Sequence, residues 1–309
     1  MNETNNNGIP YERLDPKNDF LFKKLFSSAG NEDLLIDLLN SILQPSEQEQ
    51  ICEVTITNPI KERDLAGDKL AIMDIVARAD DGRYFAIEIQ VANEYDMEKR
   101  ALYYWSNIFI SQMRMGMEYE ELHKTISINI LDYRLWHQTE KYHTVFLPLE
   151  ETEGFPLTDV AEIRYLELPK MYQKWKAGEF KGATDPLHRW FLLLMATEDQ
   201  KITQELEEIA MTDSTIEKAV NEWERLNQDP ETRAIYRSRM MARMDQLSAL
   251  KKAKREGKAE GLTEGIEKGK IETAKHALEI GVSLETIVKI TGLDRETILQ
   301  LQEKPDRDE

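Results

Sequence analysis

Two carboxylates in the first third of the sequence are spaced so that a hairpin brings them face to face. Residues 70–78 and 83–91 are rich in β-branched and aromatic side chains, and an Asp-Asp-Gly turn over 80–82 separates them. This pattern predicts two strands joined by a three-residue loop whose glycine takes the left-handed conformation. In that register the numbers of paired residues sum to 162, so Asp74 faces Glu88 with Cβ atoms about 5 Å apart.

The neighbours of this carboxylate pair restrict the chemistry that it can do. They are branched and apolar: Ile75, Val76, Ile87 and Ile89. Two like charges in poor solvent repel each other, so either one carboxyl takes up a proton or a cation binds between them. Mg²⁺ accepts a few carboxylate oxygens and keeps several waters for chemistry. A polar row facing solvent on an edge hairpin is the alternative explanation of the same pattern.

The elements around the hairpin predict an α/β domain followed by a wholly helical region. Apolar spacing indicates two helices between Asp15 and Pro45, and a long amphipathic helix over 96–117. The remaining segments are strands over 51–57, 124–131, 142–149 and 160–168, then helices over 171–178, 186–197, 199–211, 214–228 and 231–256. We therefore expect a disordered terminus over 1–14, an α/β domain over 15–170, a helical region over 171–256 and a tail over 257–309.

Composition excludes several classes of protein. The 309 residues are 41% apolar, which is enough for a substantial core and too much for a disordered chain. No run of eighteen apolar residues occurs, so we expect no membrane span. The first residues lack the basic and apolar regions of a secretory signal, and the single cysteine, Cys52, excludes an internal disulfide. We expect a cytoplasmic protein.

Charge is distributed unevenly along the chain. The net charge is −18, yet residues 225–258 hold ten Lys/Arg and four Asp/Glu, a local +6 that leaves −24 for the remainder. A chain this acidic binds nucleic acid only through a focused site, a metal ion or that basic stretch. A solvated helix face is the simpler interpretation of the stretch by itself.

The tail has its own pattern. Glycines 257, 261, 265 and 269 recur among Glu and Lys, and each destabilises a helix by about 1 kcal/mol relative to alanine. We interpret this segment as a semi-flexible linker or a self-association helix. Two short helices, with turns at 281–283 and 292–294, follow and resemble a helix-turn-helix. Few basic residues decorate them, so helical packing is the simpler interpretation.

Several motifs in order resemble a known family. Asp74 followed by Glu88-Ile89-Gln90 resembles the PD-(D/E)XK nuclease signature, with Gln in the place of the usual Lys. Segments similar to the Rpn-type recombination-promoting nucleases, a group also described as transposases, are 18–20 (NDF), 22–26 (FKKLF), 39–43 (LNSIL), 100–104 (RALYY) and 167–170 (ELPK). The resemblance implies a restriction-endonuclease-like mixed sheet with helices, and metal-dependent cleavage of DNA.

The resemblance also assigns roles to the facing pair and its neighbours. Asp74 and Glu88 would hold Mg²⁺, with Mn²⁺ or Ca²⁺ as alternative ions, and the Ile89 carbonyl would add a hard oxygen ligand. Gln90 would orient the attacking water or contact the phosphate. It carries no positive charge and cannot act as a base. Lys69, which precedes the Asp74 strand, is a candidate for the missing cation.

Three further residues are candidates for the same site. Arg100 lies on the helix after the Glu88 strand and would bind a phosphate by a bidentate contact, while ordinary pairing with Asp96 is the alternative. Asp19 would add an acid near the metal and Lys23 would contact substrate. The alternative for these two is an ion pair along the first helix.

These residues support two hypotheses of different classes. The first is a Mg²⁺-dependent endodeoxyribonuclease that promotes recombination by cutting DNA, as a dimer if it cuts both strands. The second is a catalytically weak or inactive protein with a degenerate nuclease core that binds DNA or assembles with itself.

Overall fold

The computed structural model describes residues 13–57, 74–93, 96–180 and 185–303. Lys69 and the first four residues of the strand predicted over 70–78 lie outside the described residues, as does most of the amino-terminal segment 1–14. The chain divides into two compact units, Met1–Arg237 and Ser238–Glu309.

A six-stranded mixed sheet forms the centre of the first unit. Its strands are β1 (Val54–Ile56), β2 (Ile75–Ala79), β3 (Tyr84–Gln90), β4 (Thr125–Leu131), β5 (His143–Phe146) and β6 (Ala161–Glu167). Their order is β1-β2-β3-β4-β6-β5, with β3, β4 and β6 parallel to one another and the other neighbours antiparallel. The predicted α/β class with a mixed sheet and a helical carboxyl-terminal region is therefore confirmed.

Helices cover both faces of this sheet. The α-helices are α1 (Asp19–Ser27), α2 (Glu32–Leu43), α3 (Met97–Ser111), α4 (Leu168–Lys176), α5 (Pro186–Leu194), α6 (Gln200–Ala210) and α7 (Ser214–Gln228), with 3₁₀ turns at Glu47–Glu49 and Tyr119–Glu121. The strands alternate between two apolar environments because successive side chains point to opposite faces. Ile87 and Ile89 join the main core with α1, α2 and α5–α7, whereas Ala86 packs on Tyr104 and Ile108 of α3.

The helices after residue 170 complete the main core of the first unit. Trp190 of α5 and Trp223 of α7 are buried in the same apolar cluster as Phe22 and Phe26 of α1. Phe26 and Trp190 pack with ring centroids 5.3 Å apart. The domain boundary predicted at residue 170 therefore divides residues that share one core.

Helix α3 ends earlier than the periodicity predicts, at Ser111 instead of residue 117. The Gln112 side chain donates to Thr125 Oγ1 at 2.8 Å and accepts from the His123 backbone N–H at 2.9 Å. These bonds tie the end of the helix to the start of β4. A long-range contact that the helical pattern does not contain thus decides where the helix stops.

The second unit contains a helix that is longer than predicted. Helix α8 (Pro230–Glu279) begins in the first unit and continues through all four glycines of the tail, although the periodicity predicts an end at 256. The intervening Ala, Glu, Lys and Leu residues favour helix, and no proline interrupts the segment. Helices α9 (Leu284–Thr291) and α10 (Arg295–Glu303) follow, with Ala274, Ile287 and Ile298 at the centre of a small apolar cluster.

No helix among the described residues is long and apolar enough to pass through a membrane.

Glu167, at the end of β6, and Lys170, in the first turn of α4, form a buried ion pair. Lys170 Nζ lies 2.5 Å from Glu167 Oε2 and donates to the Trp136 carbonyl at 2.6 Å, while Glu167 Oε1 accepts from the Leu135 N–H at 2.6 Å. Both side chains are at most 1% exposed. The pair therefore anchors the loop after β4 to the start of α4.

We expect Lys170→Met to lower the free energy of unfolding by about 3–5 kcal/mol, because it leaves the buried Glu167 charge without its partner. Urea unfolding monitored by tryptophan fluorescence measures this loss. Lys174→Met on the same helix is the matched control. Lys174 pairs with Glu179 at a surface where the partners are 35% and 56% exposed, so the loss there is roughly 0–1 kcal/mol. Equal losses in the two variants would contradict a structural role for the buried pair.

Candidate functional site

The hairpin register predicted from the sequence is confirmed by the strand pairing. Ile75 pairs with Ile87, and the next three pairs along β2 and β3 keep the same sum of 162. Gly82 in the turn has φ +92°, the left-handed value that the three-residue loop requires. Strand β3 lies between β2 and β4, so Glu88 stands on an interior strand and not on an edge.

Asp74 lies one residue before β2, at the carboxyl end of β3. Its Oδ2 accepts a hydrogen bond from the Ile89 backbone N–H at 2.9 Å. The N–H and C=O of one strand residue point to the same side. The Ile89 carbonyl therefore also points past the start of β2, toward the side where Asp74 stands.

Glu88 is buried, with only 2% of its surface exposed. Its Oε2 accepts from Gln90 Nε2 at 3.1 Å and lies 3.6 Å from Arg100 Nη2. Its Oε1 is buried and has no hydrogen-bond partner. An orphaned carboxylate oxygen in such a place is costly unless a cation or a proton satisfies it.

Arg100 connects the Glu88 strand to α3. Its Nη1 lies 3.4 Å from Gln90 Oε1, and its Nε donates to the Tyr104 hydroxyl at 3.1 Å. The guanidinium also lies over the Tyr104 ring, 5.3 Å from the centroid. The Arg100 side chain thus extends across one helical turn toward the carboxylates. Asp96, which the sequence offers as its alternative partner, lies 3.9 Å from Lys99 Nζ.

Both carboxyl groups are shifted toward the protonated form. Burial, and after it the charge of Asp74, raises the pKa of Glu88 from 4.5 to about 8. Burial also raises the pKa of Asp74 from 3.8 to about 6, against the hydrogen bond from Ile89 that lowers it. Two acids whose charged forms are both disfavoured form a site that a divalent cation would stabilise.

The first helix brings two more predicted residues within electrostatic reach. The Asn18 side chain caps α1 by accepting from the Leu21 N–H at 3.3 Å, and the helix packs against β3. The charge of Asp19 raises the pKa of Asp74, and that of Lys23 lowers it. Asp19 and Lys23 therefore act on the same carboxylate from one helix.

Sequence reasoning missed the residue that anchors this helix. Lys17 is 1% exposed and lies 2.8 Å from Asp132 Oδ2 and 2.5 Å from Glu198 Oε1. Burial alone would lower its pKa, but the carboxylates of Asp15, Asp132 and Glu198 together raise it. Asp132 in turn donates its N–H to the Gln90 carbonyl at 2.8 Å. No local pattern marks Lys17, because Glu198 is 181 residues away.

The donor set fits a hard divalent cation that also carries water. Asp74 and Glu88 supply carboxylate oxygens, and the orphaned Glu88 Oε1 has no other use within the described residues. Across the part of the chain that the structure describes, no group of three or more His, Cys, Asp or Glu side chains is placed to hold a metal. Two carboxylates, a backbone carbonyl and water are typical of Mg²⁺ rather than Zn²⁺.

We expect the metal-free protein to lose stability as the pH rises from 6.5 to 8. A carboxyl whose pKa is raised by folding stabilises the protein fully below its unfolded value of 4.5, and this contribution disappears as the pH passes about 8. His143 does not account for a loss of stability between pH 6.5 and 8, since burial and Arg164 lower its pKa from 6.5 to about 4.

Urea unfolding in EDTA measures this dependence. Glu88→Gln should flatten the curve and be more stable than the wild type at pH 8, whereas the exposed Glu120→Gln should follow the wild type. A wild-type stability that is constant or rises across this window would contradict a raised pKa of the buried Glu88 carboxyl.

The chain also matches a known protein family. A family model described as PD-(D/E)XK nuclease family transposase matches residues 16–253. The matched segment contains the whole sheet, Asp74, Glu88, Gln90 and Arg100. No curated protein and no solved structure matches the chain. Because the match extends over well more than half of the sequence, the protein belongs to the PD-(D/E)XK nuclease family transposases.

Proposed function

We propose that this protein is a Mg²⁺-dependent endodeoxyribonuclease that hydrolyses DNA phosphodiester bonds and thereby promotes recombination. The pairing of half-buried Asp74 with buried Glu88, which has an orphaned oxygen, is the observation that carries this proposal. Family membership supports a nuclease-like role and, with it, a divalent metal and DNA as substrate.

The metal would be held by Asp74, Glu88 and the Ile89 carbonyl, with Mn²⁺ and Ca²⁺ as alternative ions. When bound, it supplies Lewis-acid polarisation of a phosphate oxygen and a water of lowered pKa. The Asp74 carboxylate keeps its bond to the Ile89 N–H, which holds it against β3. The second Glu88 oxygen stays tied to Gln90, so the carboxylate cannot rotate away.

Gln90 and Arg100 act on the substrate side of the pair. The Gln90 amide can orient the attacking water by a hydrogen bond, but it can neither accept a proton as a base nor supply charge. Arg100 supplies the charge, because its guanidinium lies within 3.6 Å of Glu88 and can bind a phosphate oxygen next to it. Lys23 adds a second cation from α1. Lys69, outside the described residues, remains a candidate for a third.

A second function is favoured by Gln90 itself. Without a lysine at this position the chain lacks the usual cation of the motif, and a catalytically weak or inactive protein that binds DNA or assembles with itself would need none.

A site that cuts both strands requires a second copy, so the nuclease proposal favours a dimer. Sedimentation of the active species tests that point, and an active monomer would contradict it.

We expect Asp74→Asn and Glu88→Gln each to reduce nicking of supercoiled plasmid by at least about two orders of magnitude in Mg²⁺ or Mn²⁺. A metal contributes several kcal/mol to stabilising the transition state, and both substitutions weaken its binding while keeping the side-chain shape. Asp80→Asn, at the opposite end of the same hairpin, is the matched control. EDTA should abolish the wild-type activity.

A second readout separates metal binding from turnover. Mg²⁺ should raise the melting temperature of the wild type and of Asp80→Asn, and not that of the two site variants. Cleavage that survives Asp74→Asn unchanged in a clean preparation would overturn the nuclease proposal. A metal-dependent rise in melting temperature without any cleavage would favour the inactive alternative.

For Arg100→Gln we expect kcat/KM to fall roughly tenfold to a hundredfold, mainly through KM. The lost charge-assisted contact with phosphate is worth about 1.5–3 kcal/mol. Lys99→Gln, the adjacent residue on α3, is 87% exposed and serves as the control. A fall in kcat alone, with KM unchanged, would contradict the phosphate-binding role.

A further inference from the structure

The carboxyl-terminal unit carries a concentrated positive charge on a protein that is otherwise acidic. Residues 239–258 of α8 contain seven Lys/Arg and two acids, a net charge of +5 that leaves −23 for the rest of the chain. The segment is helical throughout. All of its cationic side chains are exposed except Arg243, which is half-buried.

The charges are segregated around the helix. At 100° per residue, five cations fall within an arc of about 120° and along about 28 Å of the helix axis. These residues, which we call the cationic face, are Arg239, Arg243, Lys251, Lys254 and Lys258. The two acids, Asp245 and Glu256, lie on the opposite side with Lys252, which is 3.9 Å from Glu256.

Four residues of the cationic face differ in their pairing from cations that the first unit binds internally. Elsewhere, cations such as Lys17, Arg164 and Lys170 are bound to carboxylates within the fold. Within the described residues, Arg243, Lys251, Lys254 and Lys258 have no carboxylate at ion-pair distance. Their charges are therefore available to an external polyanion without breaking an internal contact.

We propose that the cationic face of α8 is a second nucleic-acid-binding surface, which contacts the phosphates of duplex DNA independently of the metal site. A row of cations along about 28 Å suits a polymer that carries one negative charge per about 1.7 Å. The surface goes beyond the proposed cleavage site, because it supplies affinity without sequence readout or chemistry.

DNA fits this surface better than an anionic membrane does. A helix that lies on a membrane separates its apolar face from its charged face. Here the exposed Leu247 and Leu250 fall inside the cationic arc and not opposite to it. No continuous apolar side is left on this segment to enter a bilayer.

The test uses the full chain with three charges removed. Arg243, Lys251 and Lys254 are changed together to Gln, and the matched control changes Lys252, Lys268 and Lys270 of the same helix to Gln. Binding to a short fluorescent DNA duplex is measured by anisotropy in EDTA at several salt concentrations. Circular dichroism checks that both variants keep the wild-type helix content.

We expect the cationic-face variant to bind about tenfold more weakly or worse at low salt. Its slope of log K against log[salt] should be shallower by about 2.7, since each phosphate contact contributes about 0.9. The control should bind like the wild type. The loss of affinity in the cationic-face variant should exceed any change in Glu88→Gln, which separates this surface from the metal site.

Three results would overturn the proposal: equal losses in the cationic-face variant and the control, loss of binding in Glu88→Gln alone, or no wild-type binding to DNA. Binding of the wild type to phosphatidylserine vesicles without binding to DNA would assign the surface to membranes instead. Plasmid nicking that persists in a protein without measurable DNA affinity would overturn this surface while leaving the nuclease proposal intact.

Discussion

The placement of buried Glu88 opposite half-buried Asp74 is the constraint on which the candidate site depends. Asp74 and Glu88 are placed together by a hairpin register that the hydrophobic alternation of β2 and β3 enforces, because a slip by one residue would turn every isoleucine toward the wrong face. The same register forces Glu88 into an apolar interior. The fold tolerates this unfavourable arrangement only with a proton, an arginine or a metal at hand, and Arg100 satisfies just one of the two oxygens.

Polar side chains recur along the edge where β3, β4 and β6 end. Parallel strands deliver their carboxyl ends to one side, so Gln90, Asp132 and Glu167 all emerge there. Buried lysines compensate the acids: Lys17 binds Asp132, and Lys170 binds Glu167. Each lysine also holds a loop or a helix end in place: Lys17 through ion pairs with residues distant in sequence, and Lys170 through its hydrogen bond to the Trp136 carbonyl.

The acidic balance of the chain is consistent with a division of roles between its two units. Near the carboxylate pair, the nuclease proposal assigns phosphate binding to Arg100 and Lys23. On the cationic face of α8, Arg243, Lys251, Lys254 and Lys258 have no carboxylate of the described residues at ion-pair distance. Gln90 is consistent with this division of roles, since it places an uncharged amide where the motif usually has a positive charge.

Much of the site was predictable because it is encoded locally. The alternation of two strands, a turn with glycine at the left-handed position and a helix after the second strand are short-range patterns. They were enough to predict the Asp74–Glu88 register, the α/β class with its mixed sheet, and Arg100 on the following helix. The end of α3 and the continuity of α8 were predicted wrongly, because a contact between Gln112 and Thr125 decides the first and no stop signal marks the second.

The tertiary structure alone decided which polar side chains are desolvated and which hydrogen-bond or ion-pair partners they have. Glu88 is buried with one oxygen unsatisfied because α3 covers the sheet. Trp190 and Trp223 complete the core of the sheet because helices distant in sequence pack against it. Lys17 finds Glu198 across 181 residues. Local patterns specify backbone geometry over a few residues, whereas desolvation and ion pairing depend on every segment that packs around a group. The sequence by itself therefore placed the two carboxylates face to face, and only the packed structure made them a strained pair that favours a cation.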